Sequence, residues 1–135
     1  MPETLQTLPP LTLPPISRLT LALYCGASGD HNPIHVDLDF ARSAGLQDVF
    51  AHGMLSMAYL GRLVTNWRPQ SQLQTLKARF LAVVAVGDVL TLHGEVIERL
   101  QESGRPLLRV TLSAVRQNGD TVLTGEAIVR DELAG

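Results

Sequence analysis

Residues 52–66 restrict the fold more than any other stretch of the chain. Met54, Leu55, Met57, Ala58, Tyr59, Leu60, Leu63 and Val64 place apolar side chains on nearly every face of a helix, so the sequence predicts a helix wrapped by other structure rather than laid on a surface. Met54 and Met57 read as core. Trp67 and Pro69 end the helix. Everything after it alternates with period two. Leu76, Ala78, Phe80 and Ala82 face one way and Lys77, Arg79 and Leu81 the other. Leu90, Leu92, Gly94 and Val96 oppose Thr91, His93 and Glu95, and Leu108, Val110, Leu112 and Ala114 oppose Arg109, Thr111 and Ser113. A last strand is predicted over about Thr121–Arg130. Gly87–Asp88, the stretch Glu102–Pro106 and Asn118–Gly119 supply the turns, the last as a type I′ hairpin dipeptide. One long buried helix followed by antiparallel strands implies an α+β layer in a single domain spanning residues 1–135, with the sheet curled around the helix.

Upstream, prolines 2, 9, 10, 14 and 15 keep residues 1–15 extended, with at most a short strand around Leu11–Leu13. Ser17 caps a helix on which Leu19, Leu23 and Tyr24 recur, and that helix is expected to fray at Gly26–Gly29. Asp37 caps a short helix through Phe40, Ala41 and Ala44, closed by Gly45.

Composition sets the class of partner. Hydrophobic residues make up 45% and charged residues 18% of the 135 positions, as in a globular protein, and a net charge of −2 offers no basic face for nucleic acid. No apolar run is long enough to span a bilayer, and the first residues lack the basic start and apolar run of a secretory signal. With a single cysteine, Cys25, a cytoplasmic address is expected.

Chemistry concentrates in Ser28-Gly29-Asp30-His31-Asn32-Pro33-Ile34-His35. Gly29 permits a sharp turn and Pro33 stiffens the span between a carboxylate and an imidazole, the raw material of an acid–base pair. The same residues also suit a polar turn in which Asp30 and Asn32 bond backbone amides while His35 packs. A second motif, Ala51-His52-Gly53-Met54, stands at the start of the buried helix, where free N–H groups and the helix dipole favour negative charge. Gly53 has no side chain to keep a carbonyl oxygen from its N–H; it also reads as a packing device.

Gly29-Asp30-x-Asn32-Pro33-Ile34-His35, followed by five residues and Ala41, resembles the signature of the MaoC-like, (R)-specific enoyl-thioester hydratases, the enoyl-CoA hydratase 2 family. Ala51-His52-Gly53-Met54 and Arg79-Phe80…Gly87-Asp88 resemble that family too, so the likeness runs from about Ser17 to Arg130. The stretch from Gly26 through Trp67 is also similar to subunits of bacterial (3R)-hydroxyacyl-thioester dehydratases, which can work as unequal pairs. The resemblance implies a hot-dog fold. It implies that Asp30 and His35 hold the catalytic water and exchange its protons, that Asn32 orients the loop or the water, that the Gly53 N–H binds the thioester oxygen, and that His52 supports the site. It implies no metal and no separate cofactor, coenzyme A or phosphopantetheine being part of the substrate. It implies two hot-dog units side by side, most simply a homodimer, alternatively a heterodimer with a sister chain. Two positions depart from the pattern: Ala27 stands where a larger branched residue is common, and Val83 where a proline is frequent.

The remaining polar residues read as structural. Cys25 is expected as a small buried residue, His31 as solvated and His93 as part of a strand. Four scattered histidines without a cysteine or carboxylate at ligand spacing do not predict a zinc site. Lys77, Arg79 and Arg109 read as a solvated sheet face, with coenzyme A phosphates as an alternative partner. Two competing functions remain: an acyl thioesterase on the same fold, and a non-enzymatic partner subunit. Hot-dog thioesterases usually carry their carboxylate on the central helix, and this helix has no Asp or Glu between His52 and Trp67.

Overall fold

The computed structural model describes residues 3–131; Met1, Pro2 and the last four residues fall outside them. Eleven elements follow in order: β1 (Gln6–Thr7), β2 (Leu11–Thr12), α1 (Arg18–Ser28), a 3-10 turn (Pro33–His35), α2 (Leu38–Ser43), α3 (Gly53–Trp67), a second 3-10 turn (Gln70–Gln72), β3 (Leu73–Phe80), β4 (Thr91–Glu102), β5 (Arg105–Val115) and β6 (Thr121–Arg130). The strands form one antiparallel sheet in the order β1-β4-β5-β6-β3, with β2 also pairing with β4. Its inner face, including Leu92, Val96, Val110, Leu112, Ala114, Ala127 and Val129, packs in one core with Leu60, Leu63 and Val64 of α3. Gly94 and Gly125 let α3 approach the sheet closely: a Cβ on Gly94 would lie 3.4 Å from Leu63 Cδ2, and one on Gly125 would lie 3.0 Å from Leu60 Cδ1.

Local chemistry accounts for most element ends. Ser17 Oγ accepts from Thr20 N–H at the start of α1 and Asp37 Oδ1 accepts from Phe40 N–H at the start of α2. Gly29 closes α1 in the left-handed region, φ 77°, its N–H donating to the Cys25 carbonyl.

Helix α1 runs through Gly26 and ends at Gly29, the far limit of the span expected for its end. Several expectations are corrected. Leu19 and Leu23 are 68% and 66% exposed, because Leu21, Tyr24 and Cys25 form the inward stripe instead. Two short strands, not one, tie the N-terminal segment to β4. Helix α3 is not wrapped all round: Met54 is 58% exposed and Ala58 is exposed, so one side lies open in a single chain. Phe80 and Ala82 are likewise exposed: the Phe80 ring reaches the start of α3 at Gly53 but stays half uncovered in a single chain. The type I′ geometry belongs to Ser103–Gly104, φ 51° and 77°, which joins the two longest strands. Only Gly119 of the Asn118–Gly119 pair has positive φ, and Arg116 and Asp120 close a wider loop there.

Candidate active site

The Ser28–His35 loop is built from its own side chains. Asn32 Oδ1 accepts from Ile34 N–H at 3.1 Å and caps the 3-10 turn whose first residue is Pro33. Asp30 Oδ1 accepts from Asn32 N–H at 3.3 Å. Both readings of the loop therefore hold together, since one oxygen of Asp30 braces the backbone while the other, Oδ2, lies 3.9 Å from His35 Nε2. That separation is too long for a direct hydrogen bond, yet a water oxygen about 2.8 Å from each atom completes a triangle with it.

His35 is buried and its orientation is fixed. Nδ1 lies 2.7 Å from the Phe50 carbonyl oxygen, which can only accept, so Nδ1 carries the hydrogen and Nε2 is left facing Asp30. The Phe50 ring meets the His35 ring edge-on, centroids 5.1 Å apart. Phe50 is itself held: it bridges to Ala85, and Ala51 N–H donates to the Val84 carbonyl. The turn behind this bridge rests on buried Asp88, whose Oδ2 accepts from Ala85 N–H at 2.8 Å and whose Oδ1 accepts from Gln117 Nε2 at 3.0 Å.

His52 is 2% exposed and sits behind His35, the rings stacked at 3.8 Å with 24° between planes. Its Nε2 lies 3.3 Å from the Asp30 carbonyl oxygen and 3.4 Å from Cys25 Sγ, while Tyr24 closes on its edge. Donation to the carbonyl places the hydrogen on Nε2 and leaves Nδ1 buried without a partner. Burial, and then the neighbouring His35, hold the His52 pKa below the ordinary histidine value. A neutral ring thus joins α1, the loop and the start of α3. Cys25 is buried as expected, His31 is exposed, and His93 is an exposed strand residue.

The structure brings together what sequence spacing separated. Ligand-capable atoms of Asp30, His35 and His52 lie within 4.8 Å of one another, so a carboxylate does join two histidines. Stacked imidazoles nevertheless keep their in-plane lone pairs in two near-parallel planes, which is poor geometry for one ion bonded to both at about 2.0–2.1 Å.

Gly53 is the first residue of α3, and its N–H has no acceptor within the helix. It opens on a groove of about 330 Å³ that begins at Phe50 and runs between α3, the segment after β3 and the start of β6. The Phe80 ring roofs this end, since a Cβ on Gly53 would lie 3.1 Å from Phe80 Cε1. Sequence reasoning missed Ser56, Phe80 and Val84 as groove walls. Ser56 was legible, being the first hydroxyl of the helix and one turn beyond Gly53.

The profile of the MaoC like domain matches residues 4–118. The (R)-specific enoyl-CoA hydratase of Rhodospirillum rubrum is 32% identical over 118 residues, covering 84% of this chain and 78% of that protein. Fatty acid synthase subunit beta of Aspergillus oryzae is 37% identical over 118 residues, but the match spans only 6% of that much longer protein. Among solved structures, the R-hydratase PhaJ1 of Pseudomonas aeruginosa superposes with a TM-score of 0.81 at 30% identity, covering 98% of this chain and 88% of that one. The antiparallel sheet packed on one long helix is the hot-dog fold of that hydratase, and the chain belongs to the MaoC-like family.

Proposed function

We propose that the protein adds water across the 2,3-double bond of an acyl thioester, and removes it in reverse, with (R) stereochemistry at C3. The observation that carries this reading is His35 Nε2 and Asp30 Oδ2 at 3.9 Å, the histidine's hydrogen fixed on the far nitrogen, beside a groove that opens at an unpaired helix N–H. The two side chains grip one water. As its oxygen bonds to C3, one of them takes a proton, and the C2–C3 π electrons move through C2 and C1 onto the thioester oxygen. The Gly53 N–H meets the charge there, with the dipole of α3 behind it. The enolate-like state collapses when a proton from the same pair reaches C2, so oxygen and hydrogen arrive on one face. Asn32 holds the loop, and His52 backs His35. The enoyl thioester, carried by coenzyme A or an acyl carrier protein, is the sole substrate besides water.

The open side of α3 and the unpaired outer edge of β3 support a dimer with the groove at its interface, most simply of two identical chains. Phe80, Leu81 and Val83 are at least half exposed, as is Met54, and a second chain would cover them. Light scattering checks this against a monomer of 14.6 kDa.

The function is tested by incubating the protein with crotonyl-CoA and following loss of the enoyl thioester absorbance. The expected product couples to an (R)-specific 3-hydroxyacyl dehydrogenase, and in deuterated water the C2 deuteron lies syn to the new hydroxyl. An (S) product overturns this geometry, and free coenzyme A without hydroxyacyl product indicates a thioesterase.

A further inference from the structure

The groove beside Gly53 holds one feature that its packing does not explain. Of the residues lining it, Ser56 alone has a polar side chain, and that residue is 3% exposed. Three other serine and threonine hydroxyls on α-helices close back on their own helices: Ser28 Oγ donates to the Tyr24 carbonyl at 2.7 Å, Ser43 Oγ to Phe40 at 2.7 Å and Thr65 Oγ1 to Arg62 at 3.3 Å. Ser56 makes no such bond and, among the described residues, none to any other group. Its hydroxyl is also not sealed off, as His52 Nδ1 is, so its remaining exposure is to the groove. A hydroxyl taken from bulk water without a partner is costly, typically about 1–3 kcal/mol, so its bond has to come from what enters the groove.

Position on the helix identifies the partner atom. A helical side chain leans toward the N-terminus and lies over residues three and four earlier. For Ser56 that is the turn of Gly53, which has no side chain of its own. The hydroxyl and the Gly53 N–H therefore border one space, roofed by Phe80. An acyl tail there offers nothing to hydrogen-bond; the thioester oxygen does.

We infer that Ser56 is a second donor to the thioester oxygen, paired with the Gly53 N–H, and so a catalytic residue of this site. The inference rests on the hydratase reading. In the transition state the Ser56 O–H points at the oxygen on which charge gathers, while the proton transfers stay with Asp30 and His35. Loss of one such donor lowers turnover by ~10²-fold in comparable sites.

The test is Ser56→Ala, with Ser56→Thr as the hydroxyl-retaining control, assayed on crotonyl-CoA beside thermal melting. Ser56→Ala is expected to lower kcat and kcat/KM together by ~10²-fold, the mark of an interaction made in the transition state. Its melting temperature is expected to hold or rise, because an unpaired buried hydroxyl is removed. Ser56→Thr is expected to restore most of the turnover. Unchanged kcat/KM in Ser56→Ala overturns the inference. So does a loss of activity that tracks a loss of stability, and so does a rise in KM with kcat unchanged, which would place the hydroxyl on a remote part of the substrate. A wild-type protein inert on crotonyl-CoA overturns the hydratase reading and this inference together; an active wild type with an equally active Ser56→Ala overturns this inference alone.

Discussion

The two halves of the molecule are held in different ways. From β4 to β6 the chain is three long neighbouring strands whose ladders run nearly their full length, over an apolar face that includes Leu92, Val96, Val110, Leu112, Ala127 and Val129. From Gly29 to Gly53 there is little regular structure. Position depends on single bonds: Asn32 on Ile34, Asp30 on Asn32, His35 on Phe50 and His52 on Asp30. Many interchangeable contacts make the sheet, while the site rests on a few that have no substitute. Substitutions in the two regions should therefore fail in different measurements.

The largest effect expected is on turnover. Asp30→Asn, at a side chain 54% exposed, should lower kcat by ~10²-fold or more while the melting transition stays put. His35→Ala should match it in kcat; near-normal turnover in either variant breaks the comparison at its centre. In the sheet the reverse is expected. Leu112 is 3% exposed and packs on the face that meets α3, so Leu112→Ala should cost about 2–5 kcal/mol of stability. At a temperature where it remains folded, measured by denaturant unfolding alongside the assay, its kcat should stay near that of the parent.

Gly53→Ala sharpens the boundary between the regions. The added methyl would lie 3.1 Å from Phe80 Cε1, so the half-exposed ring must shift by a few tenths of an ångström. A fall in kcat/KM smaller than that of Asp30→Asn is expected, with partial recovery when Phe80→Leu is added. No recovery in the double variant would mean the methyl acts on the N–H approach itself rather than through the ring.

The smallest effect is a pH dependence. His52 is held neutral, its folded pKa below its unfolded value of about 6.5, so the unfolded chain binds its proton first as pH falls. The His52 contribution is fully present above pH ~6.5 and is lost as pH falls from there through the folded pKa. Melting temperatures of wild type and His52→Asn should converge as the pH drops through that window. Parallel curves would show that protonation of His52 is not coupled to unfolding.

Period-two alternation located the strands, and the caps at Ser17 and Asp37 were visible as residue types. The Asp30–His35 pair was legible because its spacing is short and Pro33 fixes it. What the sequence concealed depends on contacts distant along the chain. Nothing near Leu19 or Leu23 marks them as outward-facing, because the choice of stripe is made by the core that α1 meets. The ring that stacks on His35 comes from His52, and the carbonyl that sets its tautomer from Phe50. The exposure of Met54 and Phe80 reflects where α3 and β3 run out of neighbours, a property of one folded chain. Asn118–Gly119 looked like the tight turn by composition, yet strand lengths placed that turn at Ser103–Gly104.

The bridge from Phe50–Ala51 to Val84–Ala85 has a consequence for the order in which the molecule is made. The residues proposed to move protons fall within a short span of chain, whereas the groove needs Phe80, Val84 and, from the far end, Val122 and Leu123. During synthesis the pair can be outside the ribosome well before the last wall of its pocket exists. Closing contacts so far apart along the chain is slow compared with turning a local loop. Pulse-labelled hydrogen exchange during refolding should see the Gly29 amide protected before that of Ala51, which marks the moment a reactive loop becomes a site.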